Sequence, residues 1–88
     1  MANKNENIKP VLEEVQYGKI KINLGKIMTS RNISTYLLSS KANIRFQTIQ
    51  KLREDTSTRI DFEVLAKICY ALNCKVEDII EYIPNEEE

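Results

Sequence analysis

The sequence predicts an all-α domain of five short helices behind a short N-terminal extension. Three observations carry that expectation. Apolar residues recur at helical spacing in successive windows from Leu24 to Ile83. Between those windows stand Asn, Ser or Asp, which favour helix ends and starts. Strict alternation is confined to KIKI, residues 19–22, which reads as one short strand.

Residues 1–18 form the extension. The first nine are polar and are expected to be disordered. PVLEEVQY, residues 10–17, is compatible with a turn or two of helix, because Pro10 suits a first helical position. Gly18 breaks the chain before KIKI. A lone strand is unstable, so KIKI must pair with the chain's end or with its counterpart in a second copy.

The first helix is expected over 23–31, capped by Asn23, with Leu24, Ile27 and Met28 on one stripe. Asn32 then suits a left-handed stop. Ser34 is an N-cap for a second helix, 35–42, with Leu37, Leu38 and Ala42 inward. Asn43 tolerates the left-handed conformation of a sharp turn, and Ile44 anchors it. A third helix runs from about 46 to 53, with Phe46, Ile49 and Leu52 three apart. Residues 55–60 are loop. Asp61 caps a fourth helix, and Phe62, Leu65, Ala66, Ile68, Cys69 and Leu72 form its apolar stripe. After Asn73, the residues Val76, Ile79, Ile80 and Ile83 mark a fifth helix that Pro84 ends. The expected organisation is an extension 1–18, a domain 19–84 and an acidic tail 85–88.

At 88 residues, one domain is the sensible reading, and 42% hydrophobic content suffices for a small core. A chain this size buries roughly 60% of its unfolded surface, so a partner interface would matter to stability. Net charge is zero but segregated. Residues 1–60 hold eleven Lys and Arg against five acids, a net of +6, and residues 61–88 hold two against eight, a net of −6. That asymmetry points to a polyanion-binding face.

No His exists, and Cys69 and Cys74 are the two cysteines. No metal site can be assembled from them, and their spacing on helices argues for reduced thiols. Two glycines cannot build a phosphate loop, and neither thiol has an obvious base. An enzyme is therefore not expected, nor a cofactor. MANKNENIK lacks an apolar leader core and no apolar run spans a bilayer, so a cytoplasmic protein without membrane contact is expected.

The middle pair of helices carries the informative spacing. Ser34, Leu38, Asn43, Ile44 and Ile49 fall at the offsets of a helix-turn-helix. The third helix then stands across the second with one face free. ISTYLLSSKANI (33–44), TIQKL (48–52) and DFEVLAKICYALNCKVEDIIEY (61–82) together resemble the Cro and lambda-repressor (Xre-type) helix-turn-helix transcriptional regulators, particularly their small stand-alone bacterial members. The likeness covers roughly 20–84.

The resemblance implies a five-helix Cro-like domain that binds double-stranded DNA, regulates transcription as a repressor, and works as a homodimer on paired half-sites. It places phosphate at Ser34 and Thr35, bases at Arg45, Phe46, Gln47, Thr48 and Lys51, and backbone contacts at Thr56, Thr58 and Arg59. The side-chain chemistry fits: Gln pairs with adenine, Lys and Arg with guanine, and an exposed Phe packs on a thymine methyl. The sequence departs from the family pattern at several places. Thr35 stands for a usual Gln, Ser39 for Ala, Asn43 for Gly, Arg45 for a Ser or Thr cap, Arg53 for Glu, and Glu54–Asp55 for Gly. No small-molecule effector is evident. The competing reading is a protein-interaction module of antitoxin or anti-repressor type, since fold does not fix function.

Overall fold

Four helices end on a residue in the left-handed region, and those residues set the path of the chain. Asn32, Asn43, Asp55 and Asn73 have φ of 57°, 56°, 58° and 55°. In each case the next amide reaches back five residues: Ile33 to Met28, Ile44 to Ser39, Thr56 to Lys51 and Cys74 to Cys69, at 2.8–3.1 Å. Those bonds satisfy carbonyls that a helix end leaves open. Asn and Asp tolerate this conformation better than other non-glycine residues. Three of the four were legible as stops; Asp55 was not.

The computed structural model describes residues 7–85. The expectations for residues 1–6 and 86–88 lie outside it. The order is β1 (Lys19–Ile22), α1 (Leu24–Ser30), α2 (Thr35–Ala42), α3 (Phe46–Arg53), α4 (Phe62–Leu72), α5 (Val76–Ile79) and β2 (Ile80–Ile83). One core takes Leu24 and Met28 from α1, Leu38 and Ala42 from α2, Ile49 and Leu52 from α3, Leu65, Ile68 and Leu72 from α4, and Ile79 from α5, with Ile44 from the turn. Gly25 lets α1 approach α3: a Cβ there would lie 2.6 Å from the carbonyl oxygen of Arg53.

The fifth helix is shorter than its apolar spacing suggests. It stops at Ile79, and Ile80–Ile83 is a strand antiparallel to KIKI, pairing Ile22 with Ile80, Lys21 with Glu81, Ile20 with Tyr82 and Lys19 with Ile83. KIKI thus finds its partner at the chain's end. The long-range need of β1 for a partner outweighs the helical period, and β-branched Ile with Tyr suits the extended form. Asn23, expected as a helix cap, makes no side-chain cap; its Nδ2 donates to Glu81 at 2.8 Å.

Three further expectations are corrected, the first being Leu37, which is 44% exposed rather than inward. Residues 10–17 form no helix, only a turn in which Val15 N–H reaches the Leu12 carbonyl. Ile8, Val11, Leu12 and Tyr17 remain exposed there. Phe62 and Ala66 do not face the core: Phe62 is 85% exposed. At roughly 100° per residue both fall on the flank of a stripe centred on Leu65, Ile68 and Leu72.

Candidate nucleic-acid interface

The third helix is fixed from below. Ile49 and Leu52 are buried, and the turn before it is locked by the Ser39 hydroxyl, which donates to the Ile44 carbonyl at 2.6 Å. What remains outward is polar. Arg45, Gln47 and Lys51 are exposed, Thr48 is half-buried, and Phe46 is 49% exposed. Gln47 and Lys51 lie four apart and therefore share a face. Arg45 is the N-cap of α3 and makes no side-chain cap, because a guanidinium offers no acceptor to the helix N–H groups.

Ser34 and Thr35 open α2, but they divide the work. The Ser34 hydroxyl accepts from Leu37 N–H at 3.0 Å as a true cap and is exposed. Thr35 is buried at 7% exposure. Its hydroxyl donates to Gln50 Oε1 at 2.8 Å and accepts from Arg53 Nη1 at 3.0 Å, while Gln50 Nε2 donates to Glu54 at 2.6 Å. The Thr35 side chain therefore ties α2 to α3. Its main-chain N–H, at the start of a helix, is the group free to meet an anion. The longer Gln usual at this position is replaced by an internal network that anchors α3 from its far end.

The loop after α3 joins the same face. Thr48, Lys51, Ser57 and Arg59 surround a depression of about 290 Å³. Thr56 and Thr58 are exposed beside it, and the Thr56 hydroxyl donates to the Lys51 carbonyl at 3.2 Å. At the other end, Ser34 and Arg53 border a second depression of similar size with Thr29 and Asn32. Sequence reasoning did not assign Arg53 or Gln50 to the site. Their signal in the sequence was the departure from the family pattern at Arg53, where Glu is usual. Glu54 and Asp55 also acquire roles: Glu54 accepts from Gln50, and Asp55 supplies the left-handed residue after α3.

A helix seated on its apolar side, with Gln and Lys outward and cations at both ends, is the arrangement of a DNA reader. The family model described as the Cro/C1-type HTH DNA-binding domain matches residues 23–85. The chain belongs to that family. Among solved structures, the transcriptional regulator VanUg is similar at 26% identity with a TM-score of 0.62, over 86% of this chain and 100% of that one. A putative DNA-binding protein from Bacteroides fragilis shares the fold at 14% identity, also with a TM-score of 0.62, over 72% of this chain and 100% of that one. No curated protein matches. The matched residues carry the five helices and β2, and β1 stands immediately before them. Among the described residues no group of His, Cys, Asp and Glu could hold a metal, and no helix is long and apolar enough to cross a membrane.

Proposed function

We propose that this Cro/C1-type protein reads double-stranded DNA sequence-specifically through α3 in the major groove and regulates transcription, as a cytoplasmic repressor with no catalytic activity. The observation that carries the reading is the outward face of α3. Gln47 and Lys51 stand clear on a helix whose other side is immobilised by Ile49, Leu52 and the Thr35–Gln50–Arg53 network. Base edges are met by Arg45, Phe46, Gln47, Thr48 and Lys51. Phosphate is met by Ser34 and the Thr35 amide at one end and by Arg59 with the loop at the other. Repression follows from occupancy: a small domain seated in a promoter excludes other proteins from it. One copy spans about four to six base pairs, too few for a genome, so the operating unit is a homodimer on two half-sites.

The test is fluorescence anisotropy with labelled fragments, including the gene's own upstream region, at several salt concentrations. Gln47→Ala should weaken the preferred fragment by about 1–3 kcal/mol and relax its sequence preference. Arg59→Ala should weaken all fragments alike and flatten the salt dependence. Equal, weak binding to every fragment, indifferent to both substitutions, would sink the reading. A protein-interaction module would then lead, favoured by the exposure of Phe46 and by the apolar groove considered next.

A further inference from the structure

Among the described residues, two exposed apolar surfaces match each other. The first is a groove of about 610 Å³ between α2 and α4, floored by Leu38 and Leu72 and walled by Leu37, Ala66 and Tyr70. Tyr70 is 91% exposed and Leu37 44%. Lys41 and Lys67 stand on its rim together with Glu63. No residue assigned to DNA lines it. Exposed apolar patches of this kind on a small protein mark binding sites.

The second surface is the arm before β1. Its root is fixed: the Tyr82 hydroxyl donates to the Tyr17 carbonyl, and Asn85 Nδ2 to the Gln16 carbonyl at 3.2 Å. Beyond the root it leaves the domain. The principal extents are 50 × 27 × 21 Å, and the radius of gyration of 16.4 Å exceeds the ~12 Å of a compact chain this long. Ile8, Val11 and Leu12 are 60–72% exposed. Ile8, Val11, Leu12 and Val15 sit at offsets of zero, three, four and seven, the anchor spacing of a helix lying in an apolar groove. Pro10 suits the first helical position, which puts Val11, Leu12 and Val15 in the helix and Ile8 just ahead of it. Glu13 and Glu14 outweigh Lys9 in the arm and complement Lys41 on the rim, where Lys67 is already paired with Glu63 at 3.5 Å.

We propose that the arm of one copy, residues 8–15, docks in the α2–α4 groove of a second copy, turning helical from Pro10 onward, with the exchange made reciprocally. The proposal deepens the dimer of the preceding section and rests on that part of it. It also relocates the interface. KIKI, for which a counterpart in a second copy was one of the two expected partners, is used on Ile80–Ile83 within one chain.

The experiment is sedimentation equilibrium of the full-length chain without DNA, from low to high micromolar. Wild type should pass from 10.2 kDa toward twice that mass, with a gain in far-ultraviolet helix signal on association. Leu12→Asp, in the arm, and Ala66→Glu, in the groove, should each remain monomeric with unchanged thermal unfolding of the domain. Tyr70→Glu serves as a second groove variant, its site being almost wholly exposed. The decisive sample is an equimolar mixture of Leu12→Asp with Ala66→Glu. One intact arm and one intact groove survive in that heterodimer, so association should partly return. A monomeric wild type would overturn the proposal, as would dimers indifferent to the substitutions. An arm docked in its own groove would show as lost helicity at constant monomer mass with no rescue in the mixture, and would overturn it too. Mass is read without DNA, so failure of the DNA reading leaves this result standing, and the reverse holds.

Discussion

Thr35 is buried between α2 and α3, its hydroxyl held at once by Gln50 and Arg53. Replacing it with the isosteric Val keeps the volume and strips both bonds. The Gln50 amide oxygen and the Arg53 guanidinium would lose a partner in a half-buried site, which costs about 1–3 kcal/mol. Thr35→Val should therefore lower the urea midpoint without changing the transition's slope, whereas Thr35→Ser should hold close to wild type. A parental midpoint for Thr35→Val would show that the network contributes nothing. Asn43 allows a second check. Its φ of 56° suits Asn or Gly and opposes a branched side chain. Asn43→Gly should be nearly neutral and Asn43→Val should destabilise by at least about 1–2 kcal/mol, read in the same denaturation assay. These two residues differ in how legible they were. Asn43 declared itself, because Asn before an apolar anchor is local turn chemistry. Thr35 did not, because its role depends on partners fifteen and eighteen residues away. Cys69 lies between the two cases. Its thiol is free and packs against the core as its apolar spacing suggests. Burial pushes its pKa up, with Cys74 and Asp78 adding to the effect. Folding then favours the protonated thiol, so this contribution is intact below the ordinary value of 9.0 and is lost as pH rises past it. Cys69→Ala should flatten that alkaline part of the stability profile relative to wild type.

The two-stranded sheet shows where periodicity misleads. Val76, Ile79, Ile80 and Ile83 satisfy a helical template, yet the chain turns extended at Ile80, with φ −122° and ψ 135°. Four apolar residues at offsets of zero, three, four and seven fit a helix, but nothing local records that a strand sixty residues earlier needs an edge. The same spacing recurs in the arm, which is not helical in the isolated chain. In both segments the period is real and its use is decided at long range. The helix-turn-helix was legible for the opposite reason: its cap, turn and anchors lie within sixteen consecutive residues. Gly18 is the sheet's weak point. Its φ of +91° disfavours any side chain, and a Cβ there would stand 2.4 Å from the Ile83 carbonyl oxygen. Gly18→Ala should unpair β1 from β2 while leaving α2 and α3 intact. Hydrogen exchange should quicken at the β1 and β2 amides and stay slow at Ile49 and Leu52. Uniform loss of protection would mean that the sheet holds the whole domain together.

The opposed charges of the two halves set what the whole molecule does in salt. A chain with zero net charge gains little from a polyanion at a distance, so its affinity must come from the cations that reach phosphate or bases. On the proposed face these are Arg45, Lys51 and Arg59, and Arg53 beside Ser34 brings the most that can contribute to four per copy. Arg53 is partly committed to Thr35. In the proposed complex the N–H groups at Ser34 and Thr35 would add phosphate contacts that bring no cation of their own. If each cation neutralises one phosphate, the slope of log affinity against log salt is at most about −4 for one copy and about −7 for two. The slope therefore counts copies on the DNA as well as testing the face. A fragment with two half-sites should give a slope near twice that of a fragment with one. Glu13→Lys and Glu14→Lys, in the arm and away from the face, should reduce the steeper slope toward the shallower one by weakening arm exchange. That outcome would be unexpected if the arm simply followed the DNA backbone, where added lysines steepen the slope. The sign of the change thus decides whether the arm meets a second protein molecule or the nucleic acid.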